Sequence, residues 1–258
     1  MRLLPLSAFD AIFFPLRDQR VGVVDGFGNV GDRLIYAATR QLLDAFGIEW
    51  VTLSPGDPLT VDTVVLFGGG NMGSRYKREF EVRRRAVKDA AARGIPIVVL
   101  PQSWMSPEPG PFARAYVRER ASLQHCPNGI LAPDLALGYD YEARTTDPTV
   151  ERGLFLRRDA ERKVAFQDGE QDPARICRTP AKYLALAGRY SHIITDRLHF
   201  AICGLLNRRR VTLLPNSYHK NRSLWETWLA DLGCERADDP RQVGLANTSS
   251  VPANLSSG

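Results

Sequence analysis

Short runs of β-branched and aliphatic residues alternate with stretches of helical period along most of this chain. Residues 20–25 (Arg-Val-Gly-Val-Val-Asp) form the first such run, which opens onto Gly26-Phe27-Gly28-Asn29-Val30-Gly31-Asp32. Over residues 33–46 the period changes. Leu34, Ala38, Gln41 and Leu42 fall at i, i+4, i+7 and i+8, with Gln41 the polar exception, so a helix is predicted that ends at Gly47. Strands are expected at 49–53 and 63–67, the second running into Gly68-Gly69-Gly70-Asn71. A charged helix over 77–93, closed by Gly94, and a strand over 96–100, ending at Pro101-Gln102-Ser103, come next. A short strand at 115–118, Ser122 near the next helix start, and residues 129–137 around Pro133-Asp134 complete a first unit.

A polar stretch, 139–149, reads as a linker. Beyond it the pattern restarts with a strand at 153–157 and a helix at 181–189. The strand Ser191-His192-Ile193-Ile194-Thr195 opens onto Asp196-Arg197-Leu198-His199. An apolar helix (200–206), a strand (211–214), Pro215-Asn216-Ser217-Tyr218-His219-Lys220-Asn221 and a closing helix (224–232) follow. Such alternation predicts an α/β protein with parallel sheets. We therefore expect an N-terminal lobe over 1–145, an abbreviated C-terminal lobe over 146–237, and a disordered tail over 238–258, rich in Pro, Asn and Ser.

Ligands of such sheets bind at the carboxyl ends of the strands. Two successive strand ends deliver Arg197, His199 and Lys220 to one edge. Two cations and a titratable imidazole point to an anionic substrate and to proton transfer at the same place.

Composition narrows the picture only slightly. At 258 residues, 44% hydrophobic and 24% charged, the chain is an ordinary globular one that can bury a real core. A net charge of +5 fits anionic substrates or an anionic membrane surface and does not call for nucleic acid. The runs Arg83-Arg84-Arg85 and Arg208-Arg209-Arg210 read as solvated surface. Cys126, Cys177, Cys203 and Cys234 lack the spacing of a zinc knuckle or a dithiol motif, so a reducing, cytoplasmic setting is expected. No stretch resembles a signal peptide or approaches the ~20 apolar residues of a membrane span. Association with a membrane would be peripheral at most.

Several residues carry two readings. The glycines at 26, 28 and 31 formally spell Gly-x-Gly-x-x-Gly, but no acidic residue ends the second strand to hold a ribose, and Asp32 would repel a pyrophosphate. Asp32 is either a helix cap or a working carboxyl. Gly68-Gly69-Gly70 signals a tight turn or the close approach of another group. Gln102 and Ser103 either hydrogen-bond a sugar or cap the following segment. Arg118 and Arg120 flank Glu119, one facing the cleft and the other solvent. His199 is the acid–base candidate; His125, His192 and His219 lack such a setting.

Taken together, these strings resemble the polysaccharide pyruvyltransferase family. The matching pieces are Gly28-Asn29-Val30-Gly31-Asp32, Phe67-Gly68-Gly69-Gly70-Asn71, Leu100-Pro101-Gln102-Ser103, Val117-Arg118-Glu119-Arg120-Ala121-Ser122, Pro133-Asp134, Thr195-Asp196-Arg197-Leu198-His199 and Asn216-Ser217-Tyr218-His219-Lys220-Asn221. They occur in the family's order between about residues 20 and 230. The resemblance implies two Rossmann-like lobes facing a central cleft, similar to two-lobed glycosyltransferases. It also implies transfer of pyruvate from phosphoenolpyruvate to the hydroxyls of a glycan or lipid-linked sugar as a ketal.

By residue, the resemblance puts the carboxylate- and phosphate-binding arginines on Arg118 and Arg197, the histidine on His199 and the lysine on Lys220. Asn29, Gly69, Gly70, Asn71 and Gln102 lie in the matching strings and are the further substrate-binding candidates. Asp32 is a candidate to protonate C3 of the donor if its pKa is raised. The implied partners are phosphoenolpyruvate, as donor substrate, and a saccharide acceptor. No cofactor is called for, and no metal-ligand cluster is visible. The expected location is the cytoplasm, including the inner face of the membrane. A nucleotide-sugar-dependent glycosyltransferase and a non-catalytic glycan-binding relative are the alternatives. The second lobe is short for the family, with a thin polar stretch at 164–178, which bears on acceptor recognition more than on donor binding.

Overall fold

The computed structural model describes residues 1–244 apart from 25, 27, 55, 74–75, 143–146 and 166–169. Seven strands, β1 (Arg20–Val24), β2 (Glu49–Leu53), β3 (Thr63–Leu66), β4 (Gly69–Met72), β5 (Ile97–Trp104), β6 (Phe112–Val117) and β7 (Ile130–Leu131), form one sheet. Its order is β2-β1-β3-β5-β6-β7, with β4 paired to the far end of β5. Four more, β8 (Val150–Phe155), β9 (Tyr190–Thr195), β10 (Arg210–Leu213) and β11 (Glu235–Arg236), form a second sheet in chain order. All of these pairings are parallel. The expected α/β architecture with two parallel sheets is thus the one found.

The helices are α1 (Asp10–Phe13), α2 (Val30–Ala45), α3 (Lys77–Ala91), α4 (Pro173–Ile176), α5 (Pro180–Gly188), α6 (Leu198–Leu206) and α7 (Lys220–Leu224). Sheet residues divide between two cores, as strands buried on both faces must. Val21, Val23, Val65, Val98 and Leu100 join Leu34, Ala38 and Leu42 of α2. Their neighbours in the same strands, Val64, Leu66, Ile97 and Val99, join Ala90 of α3. Helix α2 ends at Gly47, whose φ of +68° suits a residue without a side chain. Gln41, the polar exception on its apolar stripe, exchanges two hydrogen bonds with the backbone of Asp140.

The chain leaves β1 toward β2 on one side and returns to β3 on the other, so the strand order reverses between β1 and β3. A crevice opens beyond the strand ends at such a point. The second sheet has no reversal. With right-handed crossovers its order puts α5 and α6 on one face, and there both pack on α2. Helix α6 is buried along its length apart from His199. It joins the cores of both sheets and sets its first turn opposite the first turn of α2.

Four local expectations change. Strand β5 does not stop at Leu100 but runs to Trp104, because β4 and β6 flank its far end; a register shift between Val99 and Gln102 accommodates Pro101, which has no N–H to give. Gly69 and Gly70 belong to strand β4 and not to a turn alone. The closing helix begins four residues early, so Lys220 is a helix residue, and it widens into a π-turn over Trp225–Leu229. Within the expected tail, Pro240–Val243 forms a 3-10 turn. Residues 245–258 of the expected tail, 143–146 of the linker and 166–169 of the thin polar stretch lie outside the described residues.

Candidate active site

The carboxyl ends of β1, β6, β8, β9 and β10 meet around one cavity of about 250 Å³. That volume is at the small end for ligand pockets and suits a small donor more than a donor with a sugar beside it. Asn29 and Asp32 reach it from the start of α2, Arg118 from the end of β6, and Arg197 and His199 from the turn between β9 and α6. Lys220 reaches it from the first turn of α7 and Gly70 from β4. Six side chains singled out from sequence are therefore brought together with Gly70.

Other candidates are not. Gln102 is buried away from the cavity, and its amide nitrogen donates to the Phe67 carbonyl, tying β5 to the end of β3. Gly69 does not line the cavity, and the Asn71 side chain lies outside the described residues.

Arg118 is wholly buried and held from three sides. Its Nη1 donates to Asp134 Oδ2 at 2.7 Å, its Nε to Ser103 Oγ at 2.8 Å, and Glu119 Oε2 stands 3.5 Å from Nε. Nη2 has no hydrogen-bond partner among the described residues. It lies 2.8 Å from where a Cβ on Gly70 would stand, so only glycine lets β4 pass this close. A rigidly held guanidinium with one unused N–H₂ is a ready anion donor. As expected, Arg120 faces solvent instead.

Asp134 also contacts His199, Nε2 to Oδ2 at 3.4 Å. One carboxylate oxygen thus serves both the arginine and the imidazole, while the Ala136 N–H holds the other. Burial alone would raise the Asp134 pKa, but Arg118 and then His199 hold it well below the usual carboxylate range. An ionised carboxylate only accepts, so Nε2 carries a proton and Nδ1 is left to face Gly31. A Cβ on Gly31 would come within 2.8 Å of Nδ1.

Asp32 closes a capping box with Asn29: the Asn29 N–H donates to Asp32 Oδ2 at 2.9 Å, and Asn29 Oδ1 accepts from the Gly31 N–H at 2.8 Å. The cap reading of Asp32 is the one found, and burial also raises its pKa against the opposing pull of His199 and the Asn29 N–H.

Arg197 spends its fork inside the protein. Nε and Nη2 grip Asp172 at 3.0 and 2.7 Å, and Nη1 sits 2.8 Å from Asp159 Oδ2. Lys220 Nζ donates to Glu161 Oε2 at 2.7 Å and lies 5.0 Å from the centre of the Tyr218 ring. Burial pushes its pKa down to about 8, against the opposing pull of Glu161.

Sequence reasoning passed over several residues that line the cavity or hold its lining side chains. Arg157, two residues past β8, pairs with Asp159 and Glu161 as Arg197 pairs past β9. Its position after a strand end was the only available signal. Asp134 had one too, Pro133-Asp134 being among the matching strings. Glu161, Asp159 and Asp172 had none. Among the described residues, no group of three or more His, Cys, Asp or Glu is placed to hold a metal, and no helix is long and apolar enough to cross a membrane.

A search of curated proteins found no match. Among solved structures, a Klebsiella pneumoniae protein of uncharacterised function aligns at 18% identity with a TM-score of 0.71, covering 86% of this chain and 94% of that one. That likeness speaks for the fold. A kitacinnamycin glycotransferase (10% identity, TM-score 0.39, 86% of each chain) is more distant. So is Staphylococcus aureus MnaA with UDP (9%, TM-score 0.43, 76% of this chain and 78% of that one). Neither bears on function. A polysaccharide pyruvyl transferase family model matches residues 29–218, the span from the first turn of α2 to the loop before Lys220, and the chain belongs to that family.

Proposed function

We propose that this protein transfers the pyruvyl group of phosphoenolpyruvate to two hydroxyls of a saccharide, free or lipid-linked, releasing phosphate and leaving a pyruvate ketal. The observation that carries the reading is the sharing of Asp134 Oδ2 by Arg118 and His199, with Arg118 Nη2 left unused at the wall of the cavity. An anion-binding group and a proton carrier are thereby fixed to each other.

The reaction adds two sugar oxygens to C2 of the donor and breaks the bond between C2 and the bridging oxygen of the phosphate. Two hydroxyl protons are released. One ends on C3, turning the methylene into a methyl group, and one on the departing phosphate. His199, with Nε2 tied to Asp134, takes a hydroxyl proton at Nδ1 and passes it on. Asp32, whose pKa burial raises, is the group that delivers the proton to C3. Arg118 Nη2 binds one anionic group of the donor, and Lys220 acts as a point charge for the leaving phosphate. Arg197 contributes its charge more than its fork, since Asp172 already holds that fork. All four cysteines are free, which fits a reducing cytoplasm.

Phosphate release from phosphoenolpyruvate against a panel of free, aryl and lipid-linked galactosides, glucosides and N-acetylmannosaminides tests the proposal. Acceptor-dependent release is expected. Protection from thermal unfolding by a nucleoside diphosphate, with none by phosphoenolpyruvate, would favour a nucleotide-sugar enzyme and overturn it.

A further inference from the structure

Every cation lining the cavity already holds a carboxylate at full hydrogen-bond contact, Arg118 alone keeping an N–H₂ unused among the described residues, and one of those carboxylates stands where a ligand would. Glu161 Oε2 receives Lys220 Nζ at 2.7 Å and Arg157 Nη1 at 2.5 Å, while Oε1 receives the Tyr76 hydroxyl. The Glu161 carbonyl accepts the Ser217 N–H at 2.9 Å, so the backbone here is pinned to the loop before Lys220. Glu161 itself lines the cavity. Two cations and a hydroxyl around one carboxylate make the coordination that a phosphate or a substrate carboxylate would take.

We propose that Arg157, Lys220 and Tyr76 form a second anion subsite, that its ligand is the phosphate of the donor, and that Glu161 fills this subsite when no donor is bound. The inference rests on reading this cavity as the donor site, and it names the subsite of the phosphoryl group. Arg118 Nη2, on the Gly70 side of the cavity, then takes the carboxylate. Glu161 swings out as phosphate arrives, and Arg157 and Lys220 exchange one anion for another. The cavity thus never holds these two buried cations unpaired, which would be costly. Affinity for phosphate is lowered by the fraction of molecules in which Glu161 is seated.

Inorganic phosphate is the probe, titrated calorimetrically against the full chain. Glu161→Gln is expected to tighten phosphate binding roughly 10-fold, the factor recovered when a state open about a tenth of the time becomes open always. Arg157→Gln should weaken it by a similar factor, in the wild-type and the Glu161→Gln backgrounds alike. Glu79→Gln controls for general electrostatics: Glu79 lines the same cavity but pairs with none of these cations among the described residues, and its change should stay within about twofold, as expected of a screened charge. Glu161→Asp keeps the charge and withdraws it by one methylene. It should tighten binding in the same direction and decides the matter if the Gln variant melts early.

Unchanged or weaker phosphate binding in a folded Glu161 variant would overturn the subsite, as would an equal gain from Glu79→Gln. Phosphate binding needs no turnover. If the variants behave as expected but phosphoenolpyruvate is never consumed, the subsite stands and the pyruvyl-transfer reading fails.

Discussion

Replacing Asp134 by Asn tests the link between anion binding and proton transfer at its single shared atom. Asp134 and Arg118 are almost completely buried and bonded at 2.7 Å. Removing one partner of a buried pair costs about 3–5 kcal/mol when the other charge is left bare. Here Arg118 would not be bare. The Asn carbonyl can still accept Nη1, and Glu119 Oε2 remains 3.5 Å from Nε. A loss of about 2–3 kcal/mol is therefore expected, seen as a fall in melting temperature of roughly 5–10 °C for a chain of this size.

The pH dependence gives an independent check. The folded pKa of Asp134 lies well below the unfolded one. Its contribution is fully present above the unfolded pKa, near ~4, and is lost as pH falls toward the folded value. The melting difference between wild type and variant should accordingly be constant near neutrality and shrink below about pH 4. Turnover, read by phosphate release, should fall roughly 10²-fold or more, because the imidazole loses the charge that fixes its tautomer. Donor affinity should fall less. A variant that melts within about 1 °C of wild type, against the shift expected for a buried pair, and turns over normally would refute the argument.

His199→Gln should fold and bind phosphoenolpyruvate within a few-fold of wild type while turning over roughly 10²-fold more slowly; normal turnover in a folded variant would move the proton transfers to Asp32. Gly70→Ala puts a methyl group 2.8 Å from Arg118 Nη2, which Asp134 and Ser103 prevent from retreating. Donor affinity should drop roughly 10-fold, the worth of one charged hydrogen bond, and unchanged affinity by calorimetry would show that Nη2 does not meet the ligand. Asp196 is pushed by burial up to about 7 against the pull of Arg157, and its Oδ2 has no hydrogen-bond partner among the described residues. Because the folded pKa is the higher one, wild-type stability should fall as pH rises from about 4 to about 7. Asp196→Asn should then melt above wild type at and beyond neutral pH, by a few kcal/mol at most, with the gain vanishing below about pH 4. Equal destabilisation at every pH would contradict the assigned shift.

The alternation of strands and helices could be read from the chain because it rests on local periodicity. Val21 and Val23 alternate whatever their partners, Leu34, Ala38 and Leu42 share a helix face by geometry, and Gly47 stops that helix by its own backbone freedom. Arg118, Arg197 and His199 were equally accessible, since each lies within four residues of the end of a strand of a parallel sheet and so emerges near its carboxyl end. Partnership was not accessible. Asp134 meets His199 across 65 residues and Glu161 meets Lys220 across 59, because the strand order and the seating of α6 on α2 decide which loops converge. The same holds for Gln102, which a β5 longer than its apolar run turns toward Phe67 and away from the cavity. Hydrophobic period is a property of neighbours along the chain. The pairing of buried charges depends on distances of a few ångströms through space, and these exist only once the two sheets have closed on a common helix.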